Sequence, residues 1–463
     1  MKNRNYYLCL PIEVSKRELL SKLYLGMYAT LRNYPVIIGD HDGQIFNQIT
    51  NGFLLYKDHA PWSEKRLSKA TSRGLNIGCL DEEGLIYKSP EIYKETRCSQ
   101  KTLNEADAIF LWGEAQKTAI SMPAVKNQFI VGNPRIDLAN LLGNRRGKLG
   151  SAKKILINTR FPSCNAFRGD QELDALKKLN IIKSKEDLEA HQEFVTHDTI
   201  IYKSFLELID VLSENKELQI TIRPHPSENT DVYTCAAKNK SNVSVDQQTE
   251  LIEQIKNHDI IIHDGCTTAI EAQAAKKIVL GLRPNGVNLK YGEFANEFSM
   301  NFSDAESITN FINNFETEQY AKSIDKDIVQ HAIFNWGINN KKSADSILSV
   351  VDTFRTDPLP NKIKDVINSR ESVTNTLHKI LNHNKAKTAL SFFLGNKFHN
   401  YIKRSEARDH KFKKLTKEST QDLLDLLTRL DPHLGNPSDY NLLLISEKSF
   451  LLTSTTNKAS KPS

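Results

Sequence analysis

Two successive series of short apolar runs, each run separated from the next by a helix-patterned stretch, constrain this chain more than any other feature. In the first series the runs are Tyr6–Leu10, Val36–Ile38, Leu75–Cys79, Ala108–Trp112 and Phe129–Val131, with a helical pattern over Lys16–Asn33. In the second they are Ile155–Ile157, Leu218–Ile222, Ile260–Ile262 and Ile278–Leu282, with helical patterns over Thr199–Leu212, over Glu250–Lys256 and from Thr267. Strand-like runs alternating with helices read as βαβ units, hence as parallel sheets covered on both faces. Between the two series, Leu141–Lys153 carries Gly143, Gly147 and Gly150 among basic residues and reads as an exposed linker.

The expected organisation is an N-terminal Rossmann-like domain over 1–150, a second over 151–350, a helical basic extension over 351–452 and a disordered tail over 453–463. A length of 463 residues suits two globular halves and an appendage. Two doubly wound domains joined by a linker leave a cleft at the carboxyl ends of their strands, where such folds bind ligands.

Three motifs fall at those strand ends. Asp81-Glu82-Glu83-Gly84 follows the third apolar run of the first domain. Three adjacent carboxylates repel one another, which predicts at least one raised pKa and suits general acid or base work. Arg223-Pro224-His225-Pro226 follows a strand of the second domain. Its prolines stiffen the loop, and Arg223 and His225 offer a guanidinium and an imidazole to a leaving phosphate. In His263-Asp264-Gly265-Cys266-Thr267-Thr268-Ala269-Ile270-Glu271 a strand turns at Gly265 into a helix. Free N–H groups there, with Thr267 and Thr268 hydroxyls, suit a phosphate, and Glu271 lies within reach of a ribose hydroxyl. Arg160, in Asn158-Thr159-Arg160-Phe161, ends another strand and suits a carboxylate. A carboxylate cluster facing a cationic loop is the chemistry of transfer from an activated sugar, so these residues point to a glycosyltransferase.

The ordered set Glu82-Glu83-Gly84, His225-Pro226 and Thr267-Thr268 resembles the D/E-D/E-G, HP and Ser/Thr-pair motifs of bacterial transferases that use CMP-activated ulosonic acids. These include sialyltransferase and Kdo-transferase families of GT-B architecture, and Tyr6 to about Leu282 is similar to the surface carbohydrate biosynthesis group of bacterial polysaccharide loci. The resemblance implies two Rossmann-like domains facing a central cleft and a metal-independent transfer without a cofactor. The donor would be a CMP-sugar carrying Kdo or a nonulosonate, and the acceptor a glycan or lipid-linked glycan of a capsule or lipopolysaccharide. Glu83 would be the first choice for the catalytic residue, with Glu82 and Asp81 as competitors. His225 and Pro226 would lie at the CMP phosphate, and Asp264, Gly265, Thr267 and Thr268 around the phosphate or the donor carboxylate. A UDP-sugar or CDP-alditol transferase or epimerase of the same architecture, or a non-catalytic scaffold of polysaccharide assembly, fits the same pattern.

Composition limits the setting. Apolar runs of about five residues fall far short of the roughly 20 that cross a bilayer, and no signal-peptide core follows Met1, so a cytoplasmic location is expected. Six scattered cysteines lack metal-site spacing and read as buried thiols. Asp40-His41-Asp42-Gly43 has metal-ligand residue types but reads as a turn, and no metal is expected. Residues 361–463 hold 18 Lys and Arg against 10 Asp and Glu. Basic and aromatic residues interleave over 385–417, which suits an anionic inner-membrane surface, while no nucleic-acid motif accompanies them.

Overall fold

The computed structural model describes residues 6–86, 90–120, 127–143, 153–167, 171–178, 182–287, 293–314, 342–355, 412 and 414–455. The first sheet is built on β1 (Tyr7–Ile12), β2 (Val36–Asp40), β3 (Gly52–Tyr56), β4 (Leu75–Leu80), β5 (Ala108–Leu111) and β6 (Gln128–Ile130). These six run parallel in the order β2-β1-β3-β4-β5-β6. Strands covered by helices on both faces need apolar side chains on both, and every residue of β1, β2, β3 and β5 is buried.

The helix Ser15–Leu31 crosses from β1 to β2. At its start the Glu18 carboxylate turns back and accepts the N–H groups of Glu13 at 3.0 Å and Val14 at 3.4 Å. Beyond its end, Asn33 takes a left-handed φ of 59° before Pro35 sets the next strand.

The second sheet comprises β7 (Lys154–Asn158), β8 (Gln219–Arg223), β9 (Val243–Val245), β10 (Ile260–His263), β11 (Ile278–Leu282) and β12 (Met300–Phe302). The order β12-β11-β10-β7-β8-β9, all parallel, is the doubly wound dinucleotide-fold order. The chain reverses direction of winding between β7 and β10, so the crevice beyond those two carboxyl ends is the topological switch point. The helix Lys185–Glu214 covers one face with Ile201, Phe205, Leu208, Ile209 and Leu212, all fully buried. Two Rossmann-like domains joined in this way are the GT-B architecture.

The structure departs from the sequence reading in four places. Gly52–Tyr56 is a strand that its short unalternating pattern hid, so the acidic triplet follows the fourth strand of the first domain. The weak runs Val243–Val245 and Met300–Phe302 are edge strands of the second sheet. The stretch expected as a helical extension, 351–452, is helical only in part. Tyr440–Ser446 (β13) and Ser449–Ser454 (β14) form a hairpin, and β14 pairs antiparallel with β2, from Ser449 opposite Gly39 to Leu452 opposite Val36. Residues 453–455, expected to begin a disordered tail, complete this hairpin. The first sheet thus has eight strands, the last two supplied by the C-terminal part of the chain.

The return path is tied down by charge. The helix Ser343–Asp352 docks on the first domain, where Asp137 accepts from Ser343 N at 3.0 Å, Ser343 Oγ at 2.9 Å and Ala344 N at 3.1 Å. Asp431, after the helix Lys417–Leu430, accepts from Tyr24 at 2.9 Å, Tyr28 at 2.7 Å and Lys342 at 2.6 Å. Among the described residues no helix is long and apolar enough to cross a membrane. The basic stretch 385–411 and the tail 456–463 lie outside the described residues.

Candidate functional site

The acidic turn sits at the carboxyl end of β4, and each of its acids has its own cation. Asp81 is fully buried and chelated by Arg97, whose Nε and Nη2 lie 3.0 and 2.6 Å from the two carboxylate oxygens. Tyr93 donates to it at 2.9 Å, and the Trp112 indole donates to its backbone carbonyl at 2.7 Å. Although burial alone raises a carboxyl pKa, the Arg97 guanidinium outweighs it and holds Asp81 down at about 2. Glu82 is also buried, with Lys22 Nζ at 2.8 Å from Oε1, and Lys22 and Arg135 together hold its pKa below the ordinary value against burial. Mutual repulsion therefore does not raise these two groups, contrary to the sequence expectation, because every carboxylate gained a neighbouring cation on folding.

Glu83 is different in kind. Its side chain is 51% exposed, and its oxygens meet Arg17 at 3.2 Å and Arg97 at 2.8 Å. It is the one member of the triplet presented to solvent. Gly84 is required behind it, since a Cβ there would lie 2.1 Å from the Gln116 amide nitrogen. That amide is itself fixed, accepting from Trp112 N at 2.7 Å and donating to Tyr93 Oη at 2.9 Å.

Across the cleft, the second domain places two arginines at adjoining strand ends. Asn158 of β7 pairs in register with Arg223 of β8, and the N–H of Thr159 donates to the Arg223 carbonyl at 3.1 Å. Arg223 is 7% exposed, and Arg160 lies two residues beyond Asn158. Their Nε groups are buried without a hydrogen-bond partner. Among the described residues neither guanidinium makes an ion pair or hydrogen bond, and burial pulls the Arg223 pKa below its ordinary value despite the fields of Glu250, Glu271 and Asp246.

The loop after Arg223 is held by a residue that the motif reading missed. Glu228, fully buried, accepts from His225 N at 2.7 Å, Thr159 Oγ1 at 2.8 Å and Tyr233 Oη at 2.6 Å, although burial raises its pKa. His225 Nδ1 accepts the N–H of Ser227 at 3.2 Å, so the neutral ring carries its proton on Nε2. Pro226 lies within this clamped turn.

At the switch point, Gly265 takes a φ of 55°, which permits the tight turn out of β10. Asp264 accepts from Asn296 at 3.0 Å and pairs with Arg283 at 3.5 Å, while its Oδ2 is buried and unpartnered. Burial raises its pKa, and Arg160 and Arg283 pull it back. Burial also holds the His263 imidazole down at about 3, so it is neutral. Arg283 was not singled out by sequence because it stands alone at the end of β11. Thr267 occupies the N-cap position without a capping hydrogen bond, and Thr268 is buried against the Cys266 thiol.

Glu271 is not turned toward a free ribose position. It is ion-paired with Arg135, both residues being nearly fully buried. Arg135 also donates to the Glu82 carbonyl at 3.4 Å and lies over the Trp112 ring. The turn Gly132-Asn133-Pro134-Arg135 thus ties the acidic turn of one domain to the second. A cavity beside this pair is lined by Arg17, Ser21, Arg135, Glu250 and Glu271.

Away from the cleft, ligand atoms of Asp40, His41 and Asp42 come within 4.8 Å of one another. Asp42 is engaged by Arg66. Four of the six cysteines are buried as expected, while Cys164 is partly exposed and Cys235 exposed.

No protein-family model and no curated protein matches this chain. Among solved structures, a protein assigned as a UDP-N-acetylglucosamine 2-epimerase from Listeria monocytogenes is 12% identical. Its TM-score is 0.48 over 78% of this chain and 99% of that one. The UDP-GlcNAc 2-epimerase of Methanocaldococcus jannaschii, in complex with UDP-GlcNAc and UDP, is 12% identical with a TM-score of 0.45, over 76% and 100%. The wall teichoic acid polymerase TagF is 11% identical with a TM-score of 0.44, over 76% and 89%. Likeness at this level leaves the chemistry to be read from this chain's own residues.

Proposed function

We propose that the protein is a glycosyltransferase that takes a sugar from a nucleotide-activated, anionic donor, and that the donor is a CMP-linked ulosonic acid such as Kdo or a nonulosonate. The observation that carries the reading is the pair Arg160 and Arg223. Among the described residues the buried Arg223 and the partly buried Arg160, each with a buried Nε, have no ion-pair partner at adjoining strand ends beside the switch point, and an anionic ligand would offset their lost hydration. Arg223, with the Nε2–H of His225, would face the phosphate of CMP. Arg160, near Asp264, would take the carboxylate that distinguishes an ulosonic acid from a neutral sugar. Thr267 supplies a hydroxyl at the same crevice.

On the opposite side, Glu83 is the carboxylate of the triplet that an acceptor can reach. It would take the proton of the acceptor hydroxyl as that oxygen attacks the anomeric carbon, while the bond from that carbon to the phosphate oxygen breaks and CMP leaves toward Arg223. Asp81 and Glu82 position this turn through Arg97 and Lys22 and do not transfer the proton. The acceptor would be a glycan or a lipid-linked glycan of a bacterial surface polysaccharide.

The test is CMP release from CMP-Kdo and from a CMP-nonulosonate, with UDP-N-acetylglucosamine and CDP-glycerol as competing donor classes. Turnover of a CMP-ulosonate that falls by about a hundredfold or more in Glu83→Gln, while CMP binding persists, supports the reading. Turnover of the UDP-sugar or the CDP-alditol instead would assign the protein to the alternative donor class.

A further inference from the structure

Among the described residues Arg223 makes no ion pair, although Glu271 lies close enough for each to shift the other's titration. The Glu271 carboxylate is already taken by Arg135, which comes from the other domain. The other acids near Arg223 are less able to take it. Asp246 is occupied by Gln248 N at 2.8 Å, Thr249 N at 3.0 Å, Thr249 Oγ1 at 2.5 Å and Gln254 Nε2 at 2.8 Å. Glu250 is partly exposed, where water screens its charge. Glu271 is buried and needs a cation wherever it turns. Arg17 also bears on it, but that guanidinium is held by Glu18 at 2.9 Å and Glu83 at 3.2 Å.

We infer that Arg135 is a positioning residue which keeps the anion site of the second domain open by withholding Glu271 from Arg223. The inference rests on the anion site proposed above. With the domains in contact, Glu271 pairs with Arg135 and Arg223 is left for a ligand phosphate. When the domains part, or when Arg135 is removed, Glu271 turns to Arg223 and fills the place of the ligand. Anion affinity is thereby linked to domain contact through a shared carboxylate, and the ligand favours the joined state by the same factor.

The test is a double-mutant cycle read by calorimetry with inorganic pyrophosphate, a probe without a ribose, so that any direct contact of Glu271 with a nucleoside does not enter. Arg135→Met replaces the guanidinium with an apolar chain of similar reach. It should weaken pyrophosphate binding by about ten- to a hundredfold, the tax set by the fraction of molecules in which Glu271 occupies Arg223. Adding Glu271→Gln should restore binding to near the wild-type level. Wild-type affinity in Arg135→Met, or a loss that persists in the double variant, would overturn the inference.

A ligand-free cycle separates this from failure of the anion site. If Glu271 exchanges partners, Arg135→Met and Arg223→Met together should lower the melting temperature by more than the sum of the two single shifts, because only the double variant strands a buried carboxylate. Additive shifts would overturn the exchange even if pyrophosphate binds. Failure of Arg135→Met alone to fold, with recovery on adding Glu271→Gln, would show that Arg223 does not receive the carboxylate. Should the wild type ignore pyrophosphate while the melting shifts are non-additive, the exchange stands and the anion-site reading falls.

Discussion

Asp81 and Glu83 are two residues apart and do different work because of what surrounds them. Asp81 is enclosed and chelated, with its folded pKa at about 2. A carboxyl depressed on folding stabilises the protein above its unfolded value and loses that contribution as pH falls through the folded one. Asp81→Asn should therefore cost about 2 kcal/mol at pH 7 and progressively less as the pH is lowered from 4 toward 2, in denaturant titrations at each pH. A cost unchanged over that interval would mean that the charge of Asp81 is not what holds the turn. Gly84→Ala, which drives a methyl group into the Gln116 amide, should lower stability by about 1–3 kcal/mol and disturb the Trp112 environment in near-ultraviolet circular dichroism. The motif was legible as a motif. The cations that tame it were not: Arg17, Lys22, Arg97 and Arg135 lie far along the chain from their partners, and no local spacing reveals which acid each will meet.

At the scale of elements, strand ends were the legible part, because a hydrophobic run closed by a polar loop fixes where β4, β7, β8 and β10 stop. Those stops put Asp81 at the carboxyl end of β4 in the first domain, and Arg160, Arg223 and Asp264 beyond the adjoining strands β7, β8 and β10 of the second. What stayed hidden was tertiary. Gly52–Tyr56 is five residues with no alternation, and the hairpin of β13 and β14 is anchored by β14 pairing with β2 across some 400 residues of chain. The helix Ser343–Asp352 likewise depends on a cap from a distant residue, Asp137, whose pKa burial raises to about 6. Asp137→Ala should cost about 1–2 kcal/mol and increase hydrogen exchange at the start of that helix. Since the folded pKa lies above the unfolded one, Asp137 stabilises most below pH 4 and that contribution is lost as pH rises through 6. The deficit of the alanine variant should accordingly shrink between pH 4 and 7. A deficit that grows over that range would contradict the assigned shift.

For the whole molecule, the account turns on a division of labour. The first domain offers one exposed carboxylate on a turn whose other acids are neutralised, and the second offers two cations, Arg160 and Arg223, that make no ion pair among the described residues. Arg135 and Glu271 join the halves. The most direct test is a calorimetric titration of CMP, CDP, UDP and GDP against the wild type, with CMP repeated on Arg223→Met and Arg160→Met. The account predicts selective CMP binding, weakened by about tenfold or more in Arg223→Met, with Arg160→Met sparing CMP but impairing CMP-Kdo. Binding of CMP undiminished by loss of Arg223, or no nucleotide binding at all, would contradict it.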